Sequence, residues 1–548
     1  MQNSANPSGT SPVRSSFLAR TLRVLRPSHQ HTAFSATLLV MVAVMLSRVF
    51  GFLREAYIAW AFGATSLTDA YNAGFTIPDW LNYIVAGGTV SITFIAIYTR
   101  FLAEGKDDEA QKTFSVIITV MSSVMIAGII LLWIFAPQLD GWYFGGKDGF
   151  DAEKLAICIR LTRILLPAQL FFYVGGVVSA VLYSRRLFFL PAFGPLVYNV
   201  AIILSGVLFS HRLGIASLAY GAVAGSFLGI FLINAIGAAR AGARYSFSLD
   251  IHNAAFREWV RLSIPLMLGV SLVSADDWIL RYFAKHSVGD ITRLTYAKRL
   301  FAVPISVLGQ AAGQASLPFF ARLIGEKRMQ EFSDTVNGSV YRITATSLVI
   351  SSFMMSAALP LVDILYRRGR LTFSDSREIA IYFFAFSLSL GFWSAQALYA
   401  RGFYASGNTL TPMIASTVIT VVSIPLYALL FRRFFTVGLA LASDLGIAAN
   451  CLAMALLLHH RKLVSLTQLN WKEIGKAAFA SVAAGLLSFE IVRSMMVNNS
   501  RVDDLKALAL GGITWAAAVA AGLWLTRSTL LTDLRRRKTL PGPRTVET

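Results

Sequence analysis

Apolar runs of about 20 residues or more recur from about residue 36 to about residue 526, each long enough to cross a hydrocarbon layer. Inside lipid no water meets the backbone N–H and C=O groups, so such runs satisfy their own polarity as α-helices. Fourteen runs can be drawn: 36–62, 69–100, 113–136, 156–184, 189–209, 214–239, 259–284, 290–323, 332–357, 377–405, 409–431, 436–460, 473–494 and 505–526. Several exceed a straight crossing and hold Pro or Gly, so tilts, kinks or extensions are expected. With 55% hydrophobic and 14% charged residues, the chain leaves no room for a large soluble domain. The expected fold class is an all-α polytopic membrane protein of about 14 transmembrane helices.

A net charge of +20 does not indicate nucleic acid, because the basic residues lie mostly in short loops and tails. An even number of spans puts both termini on one side. Arg185-Arg186, Arg240, Arg244, Lys327-Arg328, Arg461-Lys462 and Arg535 to Lys538 fall on that side, which marks it as cytoplasmic. The opposite side carries the acidic, aromatic loop Asp140–Asp151, although Arg367, Arg368, Arg370, Arg432 and Arg433 run against the bias. Residues 1–34 form a basic tail rich in Ser, Pro and Arg, without the apolar core of a signal peptide, and 531–548 form a second basic tail. Cys158 and Cys451 sit in apolar runs with no CxxC, and the seven His form no HExxH, so no metal site is expected. The chain has no GxxxxGK[ST] loop and no nucleophile–base set in a soluble domain. These absences point to a transporter without a bound cofactor, rather than an enzyme or an ATP-driven pump.

An internal repeat divides the chain. Pro78 and Ala86-Gly87 recur 226 residues on as Pro304 and Ala312-Gly313, and Leu182-Tyr183-Ser184-Arg185 recurs 216 residues on as Leu398-Tyr399-Ala400-Arg401. Six spans per unit keep the direction of insertion, so the halves are parallel repeats about an axis along the membrane normal. Two six-helix lobes follow, 35–240 and 259–462, with a central cavity and a rocking motion between them. Residues 241–258 join them, either as an interfacial segment carrying Phe247, Leu249, Ile251 and Phe256 or as a solvated loop. The last two spans, within 463–530, lie outside the repeat.

Charges inside the runs mark the candidate site, because each costs roughly 2.5–3.5 kcal/mol at bilayer depth on insertion scales. Met45–Gly63 carries Arg48, Arg54 and Glu55, with Asp69 just beyond. At about 100° per residue, Arg48 and Glu55 share a face and Arg54 lies about 120° away, so one local pair cannot satisfy all three. Two readings stay open. The arginines line an aqueous cavity suited to an anionic cargo, or they snorkel to headgroups from the helix ends. In the second lobe, Asp276, Asp277 and Arg281 precede Lys298 and Arg299. Asp277 and Arg281 can pair along one helix face. Lys298 and Arg299 have no acid within four residues, so they need water, another helix's carboxylate or an anionic ligand. Arg299 lies five residues before Pro304, where a distortion is expected. Asp79 follows Pro78 and caps its helix or faces the cavity. Pro78, Gly87, Gly88 and Pro304 are the expected hinges. Asp363, Asp444 and Glu490 are lone acids that a coupling ion could use, or acids near helix ends.

Ser47-Arg48-Val49-Phe50-Gly51-Phe52-Leu53-Arg54-Glu55, then Phe62-Gly63-Ala64 and Thr68-Asp69-Ala70-Tyr71, resembles the opening of the MurJ/MviN family. Ile77-Pro78, Tyr296-Ala297-Lys298-Arg299-Leu300 and Leu398 to Ala405 continue the likeness in family order across about residues 35–525. The resemblance implies a flippase of the multidrug/oligosaccharidyl-lipid/polysaccharide exporter superfamily. Its cargo would be lipid II, a polyprenyl-pyrophosphate-linked glycan, moved to the outer leaflet of the bacterial inner membrane for peptidoglycan biosynthesis. The family's cavity arginines and acid fall on Arg48, Arg54, Arg299 and Asp69. Arg48, Arg54, Arg299 and Lys298 would then meet the pyrophosphate, while Asp69, Glu55, Asp277 and Arg281 pair or gate. The resemblance also implies a prenyl-tail groove in the last two spans, drive by membrane potential or an ion gradient, and cell-wall synthesis machinery as a partner.

The chain departs from the family at four positions. Asn82 stands where a basic residue is usual, Gly87 and Lys298 where acids are, and Ala302 where a further acid is. A flippase for another polyprenyl-linked glycan is therefore the nearest rival. A drug antiporter would favour acids and aromatics for cationic cargo. A membrane-embedded transferase would carry a large loop with paired acids.

Overall fold

The computed structural model describes residues 33–86, 89–185, 187–268, 272–496, 500–530 and 532. Residues 1–32, all of 531–548 but Thr532, and the expected hinges Gly87 and Gly88 lie outside the described residues, while Ala33 and Phe34, expected in the first tail, open a helix. Among the described residues every regular element is helical. The first lobe holds α1 (Ala33–Phe62), α2 (Ser66–Ala73), α3 (Thr76–Ala86), α4 (Thr89–Ala103), α5 (Asp107–Phe144), α6 (Ala152–Leu165), α7 (Ala168–Ser184), α8 (Phe189–Leu213), α9 (Ala216–Gly225) and α10 (Ile233–Arg240). A π-helical stretch, Ser226–Leu232, joins the last two. The second half holds α11 (Ala254–Leu268), α12 (Leu272–Ala284), α13 (Asp290–Ile305), α14 (Ala312–Gly325), α15 (Met329–Ser356), α16 (Ala358–Tyr366), α17 (Phe373–Ser387), α18 (Leu390–Ala405) and α19 (Leu410–His460). The final pair is α20 (Trp471–Met495) and α21 (Arg501–Leu525).

Among the described residues, helix runs along all fourteen expected stretches. By length and composition, seven helices among the described residues qualify as membrane crossings, or nine when two bent pairs each count as one. A count of fourteen is consistent with this, because broken stretches such as α13–α14 escape so strict a test. Caps sit at the ends of the apolar runs. Asp151 accepts from Lys154 N at 2.7 Å to open α6, and Ser500 accepts from Asp503 N at 3.1 Å to open α21.

The helix α19 is a hairpin. Ser416 Oγ lies 3.2 Å from Asn450 Oδ1, although 34 residues of straight helix would span about 50 Å. The chain reverses at Phe435, whose φ of 50° and ψ of −140° are non-helical. In the first lobe Gly214 makes the same reversal between α8 and α9, with φ 56° and ψ −138°. One backbone conformation at equivalent turns, 221 residues apart, is the repeat written in structure. Glycine takes this conformation without strain, whereas the phenylalanine, 74% exposed, gains no burial there to offset it. Phe435→Gly is therefore expected to stabilise the protein by about 1 kcal/mol, and Gly214→Ala to destabilise it by a similar amount. Thermal unfolding of the detergent-solubilised protein checks both signs.

Three apolar cores show how the lobes meet. One takes Ile58, Tyr71, Phe144 and Ile202 from the first lobe together with Tyr296, Tyr366, Phe386 and Leu439 from the second. It lies toward the Asp140–Asp151 loop, here termed the far end. Toward the end where both tails leave the chain, the lobes keep separate cores. One is built on Phe94, Tyr98, Phe114 and Tyr173, the other on Phe320, Phe332, Tyr399 and Leu458. The lobes are thus joined at the far end and splayed at the tail end.

The first lobe's own core also takes in Phe256 and Trp259 from α11, whereas α12 packs on α19. The chain therefore passes from one lobe to the other within span seven. The connection before it runs as irregular chain along α5, with Tyr245 Oη 3.0 Å from Thr119 Oγ1 and Lys112 3.4 Å from Asp250. The helices α20 and α21 pack on each other and on α15 and α16, tied by Trp515 Nε1 donating to Ser352 Oγ at 3.0 Å. Their outer face leaves Phe479, Leu486, Leu487 and Ile513 exposed.

Candidate functional site

The far-end closure is built around Asp69. Gly63, with φ 68°, ends α1, and Thr68 Oγ1 accepts from Thr65 N and donates to Gly63 O. This tight turn sets α2 against the second lobe and leaves Asp69 fully buried. Its carboxylate accepts from Lys154 Nζ at 3.0 Å, Gly289 N at 2.6 Å, Thr292 N at 3.0 Å and Thr292 Oγ1 at 2.7 Å. Gly289 and Thr292 belong to the second lobe, so Asp69 is a latch between the lobes. Beside it, Tyr143 Oη donates to Trp278 O at 2.7 Å, Lys285 Nζ donates to Tyr143 O at 2.7 Å, and Arg370 N donates to Trp60 O at 3.1 Å. Burial in this closure lowers the Lys285 pKa from its ordinary value.

Below the closure a cavity of about 130 Å³ lies against α12 and α13, lined by Asp277, Arg281, Thr295, Lys298, Arg299 and Ala302 among others. The helix α1 contributes its charges to the same region. Arg54 is paired with its neighbour Glu55 at 2.5 Å and donates to Asn199 Oδ1 at 3.1 Å. Arg299 Nε lies 3.7 Å from the same Glu55 carboxylate, across the lobe boundary. Arg48 is exposed on the Glu55 face, two turns and about 10 Å toward the tail end.

The other charged pairs differ from those that sequence spacing suggests. Asp277 and Arg281 do not pair with each other. Arg281 reaches into the first lobe, donating to Asp79 Oδ2 and Thr76 Oγ1, each at 3.2 Å. Asp277 instead takes Lys298 at 2.5 Å, and Lys298 also holds Asp276 at 2.5 Å. Asp276 is fully buried and accepts in addition from Tyr427 Oη and from Ser443 Oγ, the latter at 3.0 Å. The local rule fails because it sees only one helix, while α12 faces the first lobe on one side and α13 on the other.

Asp69 finds its cation in Lys154, within its own lobe. Lys154 and Asn199 escape the sequence reading, although an Asn within the apolar run 189–209 is a signal that it needs a partner. Pro78 lies in the first turn of α3 after a break at Gly74 and Phe75, where Pro is tolerated. Pro304 ends the regular part of α13, and π-helical turns Ser306–Ala311 follow. Asn82, at one of the departures, donates to Gln169 Oε1 at 2.9 Å within its own lobe. Asp363 pairs with Arg367 at 2.9 Å, and Glu490 is exposed.

Most of these charges cancel. Arg54, Arg281 and Lys298 each hold a carboxylate at 3.2 Å or closer. Arg299, with a 56% exposed side chain, comes no closer than 3.7 Å to Glu55, and Arg48 has no polar partner among the described residues. Of these two, Arg299 lines the cavity, and its guanidinium fork is what the cavity wall offers an anion.

The family model "Lipid II flippase MurJ" matches residues 58–501. The chain belongs to the MurJ family. Its relatives in that family include the lipid II flippase MurJ of Burkholderia cenocepacia, 27% identical over 442 residues, which cover 78% of this chain and 84% of that protein. A probable lipid II flippase MurJ of Synechocystis is 25% identical over 497 residues, 87% of this chain and 91% of that one. The fold matches a solved lipid II flippase MurJ in an inward closed conformation, with a TM-score of 0.73 at 21% identity over 91% of this chain and all of that one. An inward-facing multidrug resistance MATE transporter of the MOP superfamily matches less fully, with a TM-score of 0.62 at 13% identity over 78% of this chain and 98% of that one.

Proposed function

We propose that this chain flips lipid II from the cytoplasmic to the periplasmic leaflet of the bacterial inner membrane, as a transporter and not an enzyme. The observation that carries the reading is Arg299, an under-neutralised arginine in the cavity wall between lobes that are latched at one end and splayed at the other, with Arg48 exposed on α1 toward the tail end. A pyrophosphate brings two or more negative charges, and bidentate guanidinium contacts suit its oxygens. Entry from the tail end, contact with Arg48 and then Arg299, and release of the Asp69 latch make an alternating-access cycle. The tail end is then cytoplasmic, in keeping with its basic loops. The apolar face of α20 and α21 is suited to the prenyl tail. Membrane potential or an ion gradient supplies the free energy; Asp140 and Asp444, buried carboxyls with no ion-pair partner among the described residues, are the groups such coupling would use.

The test is expression of this chain in a host depleted of its own lipid II flippase, with lipid II assayed in the outer leaflet. Restored exposure of lipid II is the expected result. Absence of rescue at normal membrane levels of the protein would overturn lipid II as cargo. The second reading, another polyprenyl-linked glycan, rests on Lys298, which replaces an acid and fills the cavity wall with a cation neutralised by Asp276 and Asp277. The same assay with other polyprenyl-linked glycans would distinguish the two.

A further inference from the structure

A second cationic groove lies on the first lobe, among α5, α6 and α9. It has a volume of about 340 Å³, within the ~300–1,000 Å³ range that holds small ligands, and Trp133, Ile159, Arg160, Arg163 and Tyr220 line it. Arg160 and Arg163 are three residues apart on α6, so their side chains share a face. Arg163 is fixed in place. Its Nε donates to Trp133 O at 3.0 Å, and its guanidinium stacks over the Trp133 ring at 4.5 Å. That stacking leaves the two terminal nitrogens of the guanidinium for a ligand. Arg160 is exposed and has no polar partner among the described residues. No acid lines the groove.

The surroundings are those of a lipid-facing surface. Ile126, Ile130, Ile134 and Phe135 on α5 are exposed beside it, and Trp133 and Tyr220 are 47% and 45% exposed. Along α6 the arginines lie about 12 and 17 Å from the far-end start at Ala152. Two unpaired guanidinium groups at that depth on an apolar surface are costly unless an anion meets them. The flanking Trp and Tyr are residues that favour the headgroup level.

We propose that this groove binds the phosphate headgroup of an anionic phospholipid in the far-end leaflet. Arg160 and the free nitrogens of Arg163 would hold the phosphate, and the acyl chains would lie along the exposed face of α5. A headgroup carrying its own cation would leave the pair of arginines only partly compensated, so phosphatidylglycerol should bind better than phosphatidylcholine. The site is separate from the cavity between the lobes and does not depend on which cargo is transported.

Native mass spectrometry of the full chain, released from nanodiscs containing equal parts phosphatidylglycerol and phosphatidylcholine, tests this. The wild type is expected to retain phosphatidylglycerol preferentially. Arg160→Gln touches no protein group, so folding should be unchanged, and it should reduce the preference about fivefold. Arg163→Lys keeps a charge but loses the stacked fork, and should give a smaller loss. An unchanged phosphatidylglycerol preference in Arg160→Gln overturns the proposal. So does displacement of phosphatidylglycerol by an equal amount of undecaprenyl pyrophosphate in the wild type but not in Arg160→Gln, because the groove would then belong to the cargo.

Discussion

Arg299→Ala should cut flipping of the pyrophosphate-linked lipid at least about thirtyfold while the yield of folded protein stays the same. The expectation follows from how Arg299 is held. Its side chain is 56% exposed, and among the described residues the one carboxylate within 4 Å of it, Glu55, is 3.7 Å away and already engaged by Arg54. Removing Arg299 therefore leaves no buried charge stranded in the empty protein. It strands the cargo instead, because truncating one partner of a desolvated charge pair costs roughly 2–5 kcal/mol. The other cavity cations should behave differently. Arg54→Ala leaves Glu55, with a 7% exposed side chain, without its close partner, and Lys298→Ala leaves the fully buried Asp276 without a cation. Both should lower stability as well as transport. Arg299→Lys keeps the charge but not the fork and should fall between wild type and alanine. A proteoliposome flipping assay, read alongside size-exclusion profiles, separates these outcomes. Wild-type flipping by Arg299→Ala would remove this residue from the site.

The comparison between variants also marks what could be read from the sequence. The cost of charge at bilayer depth singled out Arg48, Arg54, Glu55 and Arg299, and three of these four converge across the lobe boundary. Hydropathy alone located the turn at Phe435 between runs ending at 431 and starting at 436, because a reversal interrupts an apolar run whatever residue makes it. Partners were a different matter. Spacing of four suggested that Asp277 would hold Arg281, yet each finds a better partner on another helix: Lys298 for one, Asp79 for the other. Lys154, 85 residues from Asp69, opens a helix beside an acidic loop, so nothing local distinguishes it from an ordinary solvated lysine. Helix periodicity reports which face a residue occupies. It does not report what the opposing helix brings, and the pairs Asp69–Lys154, Asp79–Arg281 and Asp276–Lys298 all lie between helices.

The second large effect is expected at the latch, where Asp69→Ala should shift the lobes toward a state open at the far end by about a hundredfold or more. In the closed state Asp69 collects four hydrogen bonds, three of them from Gly289 and Thr292 in the opposite lobe. Alanine would leave two buried backbone N–H groups without acceptors and Lys154, 4% exposed, without its anion. Breaking a buried pair from one side costs about 3–5 kcal/mol, and 3 kcal/mol already moves a two-state equilibrium more than a hundredfold. That cost falls on the closed state, because opening lets water reach the same groups. Spin labels at Trp142 and Val288, both exposed and on opposite lobes, would report it as growth of the long-distance population in pulsed dipolar spectroscopy. Lys154→Met separates the ion pair from the lobe-to-lobe bonds. Lys154 belongs to the same lobe as Asp69, so its loss removes a positioning contact while the three cross-lobe bonds remain. Its shift should therefore be the smaller of the two. An Asp69→Ala distance distribution equal to wild type, or a larger shift for Lys154→Met, would mean that the lobes are held by the apolar core around Phe144 and Tyr296 and not by the carboxylate.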